Sequence, residues 1–437
     1  MFELFKNHID SHLPFLREGK LLVAISGGLD SVVLTHLCHK LKLNIALAHC
    51  NFNLRGDESD SDETFVLDLA EDLYLEVFVE SFDTKAYAKT HKCSIQMAAR
   101  ELRYHWFSEL AEQLNFDYIL TAHHADDNLE TFLINFTRGT GIEGLMGIPK
   151  VNGKFVRPLL MFSSTDIENY AITNTLEWKN DSSNQSAKYL RNKLRHQVVP
   201  VLKEINPSLL QSFSTTLNNL TDVSIIVSNS IDDFLTKAVE RITENEIWFS
   251  IAAFKKQNAP GAYLYQVFKD YGFTEWNDVL NLLDAQPGKQ LFSNTHRLIK
   301  DREYLLLTEI NVQNQQKSIT IPEYDNEIHT PIGMLSFNVV KEILKEDLNT
   351  IYVDAELLKF PLIIRKKQEG DYFYPLGMTG KKKLSKYFKD EKLSLLDKED
   401  TWLLCSGDSI VWVVGRRADN RFRVNKNTSK IFKITLR

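Results

Sequence analysis

The 437-residue chain has no apolar run near the ~20 residues that a membrane span requires. Even Trp402 to Val414 is broken by Ser406, Gly407 and Asp408. The opening stretch MFELFKNHIDSHLPF carries acids and no basic segment ahead of an apolar one, so a cytoplasmic protein with no secretory signal and no membrane partner is expected. Cysteine is scarce. Cys38, Cys50, Cys93 and Cys405 form no C-x-x-C pair, which argues against a disulfide framework, a zinc ribbon or a cysteine-ligated cluster and leaves reduced thiols. Low-complexity linkers and fixed-period repeats are also missing. What remains is ordinary for a folded protein, with 43% hydrophobic and 25% charged residues and 26 Phe, 15 Tyr and 6 Trp. At roughly 100 to 200 residues per domain the length fits two to four domains.

Charge is unevenly spread. The chain totals −6, yet Pro361 to Arg437 holds 18 Lys and Arg against 9 Asp and Glu, so residues 1–360 carry −15. The basic tail is the candidate polyanion face.

The first 150 residues alternate strand-like runs (Leu21–Ile25, Ile45–His49, Glu76–Ser81, Tyr118–Ala122) with helical patterns (Ser31–Leu41, Glu58–Leu73, Gln96–Leu114, Asp126–Phe136). This βαβ series predicts an α/β fold, a doubly wound parallel sheet with helices on both faces. Helical patterning continues over Ser163–Leu202 and Leu209–Ile242, with a break at Asn206-Pro207 and a boundary expected near residue 215. Shorter helices around Ala252–Phe268 and Trp276–Asp284 precede strand-like Glu303–Thr308 and Lys317–Ile321. From Tyr352 onward, β-rich segments such as Ile410–Gly415 and Phe432–Leu436 surround the lysine-rich Lys381–Lys392. The division expected is 1–215, a mainly helical 216–345, and a small, basic α/β 346–437.

The sharpest signal is LLVAISGGLDSVVL, an apolar strand followed by Ser26, Gly27, Gly28, Leu29, Asp30 and Ser31 at the start of a helix. Two glycines let backbone N–H groups approach an anion, and the helix N-terminus adds partial positive charge. Five such fixed positions arise by chance in a chain of this length with probability on the order of 10⁻³. Asp30 would repel phosphates unless it binds Mg²⁺. No Gly-Lys-Ser/Thr follows, so this is not a Walker A loop. The acidic run Asp57 to Glu63 lacks the glycine and terminal glutamate of a calcium loop and reads as an acidic helix start. His123 and Asp127 fall four apart, but two ligands alone make no metal site.

The loop resembles the PP-loop signature of the ATP pyrophosphatase superfamily. HCNFNLR (49–55), ARELRY (99–104), TAHHADDNLET (121–131), RGTGI (138–142) and YLRNKLR (189–195) narrow the resemblance to the tRNA(Ile)-lysidine synthetase family, joined by GMTGKKKLSKYFKDEK and VGRRADNRFRV near the C-terminus. The match covers the first 215 and last 80 or so residues. Asn53 stands where many relatives carry a second histidine, which takes an imidazole away from that position.

The resemblance implies a PP-loop, adenine nucleotide alpha hydrolase-like catalytic domain. It implies that the C2 oxygen of the wobble cytidine in the CAU anticodon of isoleucine tRNA attacks the α-phosphate of ATP. Free L-lysine then displaces AMP to form lysidine. ATP would contact Ser26, Gly27, Gly28, Leu29, Asp30, Ser31, His49, Arg100 and Arg138, with Mg²⁺ on Asp30. Asp127 and Glu130, three apart on one helical face, would hold the lysine ammonium, the alternative being an exposed acidic first turn. Arg191 and Arg195 would meet tRNA phosphates or a base, with Arg191, Asp30, Asp127 and Glu130 as the catalytic set. Lys381, Lys382, Lys383 and Lys386, together with Lys389, Lys392, Tyr387 and Phe388, would contact the tRNA backbone. A tRNA thiolase of the same superfamily is the rival reading and lacks the paired cysteines it needs. A homodimer is left open.

Replacing Lys381, Lys382 and Lys383 by neutral residues is predicted to weaken tRNA binding and flatten its salt dependence, measured by filter binding across a salt series. An unchanged affinity and slope would remove the tail from the tRNA interface.

Overall fold

The computed structural model describes residues 1–180, 190–310, 318–323, 327–344 and 347–437. These form two compact units, 1–228 and 229–437. Among the described residues, no helix is long and apolar enough to cross a membrane.

The first unit begins with α1 (Phe2–His12), then alternates β1 (Leu21–Ala24), α2 (Leu29–Lys40), β2 (Ile45–Asn51), α3 (Asp57–Asp72) and β3 (Val77–Ser81). Next come α4 (Thr84–His91), α5 (Ile95–Gln113), β4 (Tyr118–Leu120), α6 (Ala125–Arg138) and α7 (Ile142–Leu145). The short strands β5 (Val151–Asn152) and β6 (Phe155–Val156) then lead to α8 (Ser164–Thr173). The sheet runs β3-β2-β1-β4-β6-β5, parallel except for the β5–β6 pair. Each predicted strand and helix of residues 1–150 is present, with every end within two residues of its expected place.

Strand side chains alternate faces, and the cores follow that period. Leu21, Val23, Ile45, Leu47 and Leu120 join the core under α1, α2, α3 and α8. Leu22, Ala46, Ala48 and Ile119 join Phe107, Leu110 and Phe116 under α5. Because β1 has β2 on one side and β4 on the other, successive crossovers leave in opposite directions and open a crevice at the carboxyl ends of these strands.

The helical pattern of Ser163–Leu202 is interrupted. After α8, residues 174–180 run as a turn and an extended strap, and helix resumes as α9 (Leu190–Lys193), a π-helical turn at Leu194–Val198, and α10 (Val199–Ile205). Pro200 has no N–H to give His196, and Val199 N–H instead reaches back to the Leu194 carbonyl, widening the turn. Tyr189 lies outside the described residues.

α11 (Leu209–Ala238) is an unbroken 30-residue helix through position 215. Phe213 packs with Leu129 and Val199, whereas Phe234 and Ala238 belong to the core of the second unit. Helix gives way at β7 (Val239–Ile242), where β-branched Val239 and Ile242 pair with β8 (Glu246–Ser250).

The second unit then carries α12 (Ile251–Lys255), α13 (Pro260–Phe268) and α14 (Trp276–Asn281) against an antiparallel sheet β7-β8-β11-β10-β9, completed by β9 (Gln290–Phe292), β10 (His296–Asp301) and β11 (Tyr304–Glu309). Beyond it come β12 (Ser318–Ile321), β13 (Glu327–Thr330), β14 (Gly333–Val340), β15 (Thr350–Asp354), β16 (Leu362–Lys366), β17 (Tyr372–Phe373), β18 (Lys382–Lys383), α15 (Leu384–Asp390), α16 (Leu395–Asp400), β19 (Trp402–Ser406), β20 (Ser409–Val413) and β21 (Ile431–Leu436). Lys317 lies outside the described residues. Two four-stranded sheets, β12-β16-β19-β20 and β13-β14-β21-β15, share one core around Trp412, Ile364, Leu335 and Ile434. Arg297 bonds Glu399 at 3.0 Å, and Ile299 and Leu306 pack on Leu396, joining the helical and basic parts of this unit.

The turn after α7 anchors α6 to the rest of the fold. Asn128 Oδ1 accepts a 2.6 Å bond from Ile148 N, and a Cβ on Gly147, at φ +70°, would stand 2.0 Å from that oxygen. Gly147→Ala is therefore expected to destabilise the chain by about 2 kcal/mol or more, through positive-φ strain and the displaced buried acceptor. Urea unfolding checks this, and an unmoved midpoint would refute it.

Candidate active site

The crevice holds a cavity of about 1100 Å³ lined by the 26–31 loop, the ends of β2 and β4, α5, the start of α6, the strap and the π turn. In the loop, Gly27 takes φ +82° and Gly28 N-caps α2 without any side-chain cap, so the first N–H groups of that helix face the cavity. Ser31 Oγ donates to Gly28 O at 2.9 Å and accepts from Ser26 N at 3.2 Å, holding the loop open.

His49, buried on β2, sits with Nδ1 3.0 Å from the Ile25 carbonyl. A carbonyl only accepts, so Nδ1 carries the proton and Nε2 is left as an acceptor. Burial lowers its pKa and keeps the ring neutral. Asn53 occupies φ +50°, a conformation asparagine tolerates, and its backbone N–H donates to Asn51 Oδ1 at 3.1 Å. Arg100 and Arg103 line the cavity with guanidinium groups 4.7 Å from the Tyr104 ring and 5.1 Å from the Phe52 ring. Their neighbours Glu101 and Glu109 are engaged by Tyr87 and His105.

The start of α6 concentrates charge. Asp127 closes the helix end by accepting from His124 N at 3.2 Å, and Glu130 lies beside it with 1% of its surface exposed. Both are claimed by arginines from the π turn and the helix before it. Arg195 donates to Glu130 Oε1 at 2.6 Å, Glu130 Oε2 at 3.0 Å and Asp127 Oδ1 at 2.8 Å. Arg191 donates to Thr131 Oγ1 at 2.6 Å, and its Nε stands 3.1 Å from Glu130 Oε2 without hydrogen-bond alignment. Burial acts to raise Asp127, but His124, His123 and the two arginines outweigh it and hold the carboxyl below its usual range. An exposed acidic first turn is thereby ruled out, and the pair is not an open acidic pocket either.

Asp30 lies 3.8 Å from His124 Nε2, whose other neighbour is Asp127 Oδ2 at 3.4 Å. Burial raises Asp30, His124 opposes the rise, and Asp127 adds to it. Among the described residues, no cluster of three or more His, Cys, Asp or Glu forms a metal site by itself.

Three features escaped the sequence reading. Asp126 accepts from Lys203 Nζ at 2.5 Å and from Ser164 N at 2.8 Å, pinning α6 to α10 and α8. The Asp-Asp doublet signalled Asp126, but nothing local signalled Lys203. His124 is buried, its Nδ1 without a hydrogen bond among the described residues and 3.7 Å from Asp126 Oδ2, and Lys179 brings the strap against the loop. Conversely, Arg138 does not join the site. It ends α6, exposed and outside the cavity, about 20 Å along the helix from Ala125.

All four cysteines are free, and of them only Cys50 lines the cavity, its thiol pushed up to about 12 by burial and poorly suited to attack.

In the second unit, Tyr387 and Phe388 are core residues packed with Phe373, Leu384 and Leu403, so they are not available to a ligand. Lys382 pairs with Asp390 at 2.8 Å. Lys381 lies 3.8 Å over Tyr372, and Lys383 and Lys386 are exposed beside it in sequence.

A PP-loop domain model matches residues 2–202, a TilS substrate binding domain model 242–310, and a TilS substrate C-terminal domain model 362–435. The chain is 41% identical to a tRNA(Ile)-lysidine synthase of Parabacteroides distasonis over 99% of its own length and 98% of the relative's. It is 41% identical to that of Bacteroides thetaiotaomicron, over 97% of each chain. The Porphyromonas gingivalis enzyme is 37% identical, over 94% of this chain and 93% of its own.

His123, whose Nδ1 meets Thr121 Oγ1 at 3.0 Å, is lowered to about 4, chiefly by burial, against 6.5 for a free imidazole. The unfolded ring binds its proton first as pH falls, so this contribution to stability is complete above pH 6.5 and drains toward pH 4. His123→Asn should therefore lose less melting temperature than the parent between pH 7.5 and pH 5. Equal losses would contradict the assignment.

Proposed function

The chain belongs to the tRNA(Ile)-lysidine synthase family, and from that premise we propose how its residues divide the work of an ATP-dependent ligase that forms a carbon–nitrogen bond. The first step binds ATP with its phosphates on the 26–31 loop and the N-terminus of α2. The C2 oxygen of the wobble cytidine in the CAU anticodon of isoleucine tRNA attacks the α-phosphorus, and pyrophosphate leaves. In the second step the ε-amine of free L-lysine attacks C2, and AMP departs with the oxygen. These are cytoplasmic substrates.

Arg100 and Arg103 approach the nucleotide, each braced on an aromatic ring, and His49 offers Nε2 as an acceptor from beneath the loop. Asp30 and Asp127 converge on His124 Nε2, and a cation there would offset the burial, and the neighbouring Asp127 charge, that raise Asp30. Two carboxylates with substrate phosphates are the donor set Mg²⁺ uses, and the ion would neutralise charge on the phosphates.

Lysine poses a separate problem. With a reference pKa near 10.4, roughly one amine in a thousand is neutral near pH 7.4, a deficit of about 4 kcal/mol. Asp127 and Glu130 hold and orient the ammonium. Arg195 and Arg191 hold those carboxylates in place and help keep Asp127 ionised, and as like charges they disfavour the ammonium form. The observation that carries this reading is a paired, buried carboxylate cluster at the same crevice as the phosphate loop. The tail lysines bind the tRNA backbone, and the three-part division 1–215, 216–345, 346–437 assigns the middle part to tRNA contact as well.

The test is transfer of radiolabelled lysine to unmodified isoleucine tRNA bearing CAU, with Mg²⁺ and ATP. Asp30→Asn, Asp127→Asn and Glu130→Gln should each lower incorporation roughly 10²- to 10⁴-fold. Pyrophosphate release without lysine incorporation in the parent chain would move the nucleophile to another donor.

A further inference from the structure

The 26–31 loop lacks the lysine that a Walker A loop places on its phosphates, and its own side chains are two hydroxyls and a carboxylate. A cation for the outer phosphates must come from elsewhere in the fold. Arg55 is committed to Asp62 at 2.7 Å, Arg191 and Arg195 to the carboxylates of α6, and Lys203 to Asp126. Arg100 and Arg103 belong to α5, on the sheet face opposite α2 and α3.

The strap supplies what the loop lacks. Lys179 N donates to the Gly27 carbonyl at 2.9 Å, fixing residue 179 against the phosphate loop through its backbone. Its side chain lines the cavity and donates to Ser61 Oγ on α3 at 3.1 Å, a neutral partner. The same stretch of α3 covers the loop, since a Cβ on Gly27 would meet Phe65, Val66 and the Asp62 carbonyl at 3.4 to 3.7 Å. The ammonium is thus held beside the loop by a hydroxyl and lies 5.7 Å from the Phe65 ring, with no carboxylate bonded to it among the described residues, and a phosphate oxygen can replace that hydroxyl at little cost.

We propose that Lys179 is a pyrophosphate-binding residue, a cation delivered by the strap to the β- and γ-phosphates of ATP and to the pyrophosphate product. This rests on the reading that ATP is split between its α- and β-phosphates. The backbone bond to Gly27 survives any substitution of the side chain, so the charge can be removed while the strap stays pinned.

The experiment titrates inorganic pyrophosphate, ATP and AMP, each with Mg²⁺, into the full-length parent, Lys179→Met and Lys179→Arg by calorimetry. Lys179→Met should weaken pyrophosphate and ATP roughly ten- to a hundredfold, as expected for loss of a charge-assisted hydrogen bond, and leave AMP unchanged. Lys179→Arg should restore most of the loss. Unchanged pyrophosphate affinity in Lys179→Met would overturn the proposal. So would an equal loss for AMP, which would mark a structural role for the strap. A parent chain that binds AMP but not pyrophosphate would instead sink the underlying reading of ATP cleavage.

Discussion

The contact on which the catalytic unit depends is the buried pairing of Glu130 and Asp127 with Arg195 and Arg191. Removing an ionised carboxylate from water costs several kcal/mol, and that cost is met only when the partners are close and well oriented. Glu130 could not sit almost fully buried on α6 unless the helix that follows residue 190 delivered its guanidiniums there. The pairing also commits the chain to one arrangement of these two helices, because a missing partner would leave a buried charge alone. The π turn belongs to the same constraint. Pro200 breaks the regular ladder one turn beyond Arg195, and the widened turn carries that residue toward α6.

Around this cluster the remaining groups follow from electrostatics and topology. Anions favour the uncapped start of α2, and a parallel sheet with its switch point beside β1 places that start next to the carboxyl end of β4, from which α6 begins. Phosphate-binding and carboxylate-bearing helix ends therefore share one crevice. Asp30 is the point at which they meet, raised by burial and by Asp127 and eased by His124. A site built this way has alternating charges within a few ångströms.

The second unit solves a different problem. Its basic residues are spread over short strands and short helices that cannot bury enough surface alone, and they depend on the shared core of two sheets and on the contact of Leu396 with Ile299 and Leu306. Aromatic residues near the lysines divide accordingly. Tyr387 and Phe388 go inward to stabilise α15, while Tyr372 remains at the surface beneath Lys381.

Local information was enough for the strands and helices of residues 1–150, because the hydrophobic period and the Gly27-Gly28 turn are written in neighbouring residues. The resemblance to a known family, rather than the local pattern, singled out Asp30, Asp127, Glu130, Arg191 and Arg195. Local information could not say that Arg195 and Glu130, 65 residues apart, would bond each other, that Lys203 would find Asp126, or that Lys179 would lie against Gly27. Nor could it see that Arg138 would be carried out of the site by the length of its own helix, or that Tyr387 and Phe388 would be needed for packing. Backbone geometry is set over a few residues, so sequence by itself determined the elements and the candidate groups. Pairing across long loops depends on which surfaces are buried together, and only the tertiary structure decided that.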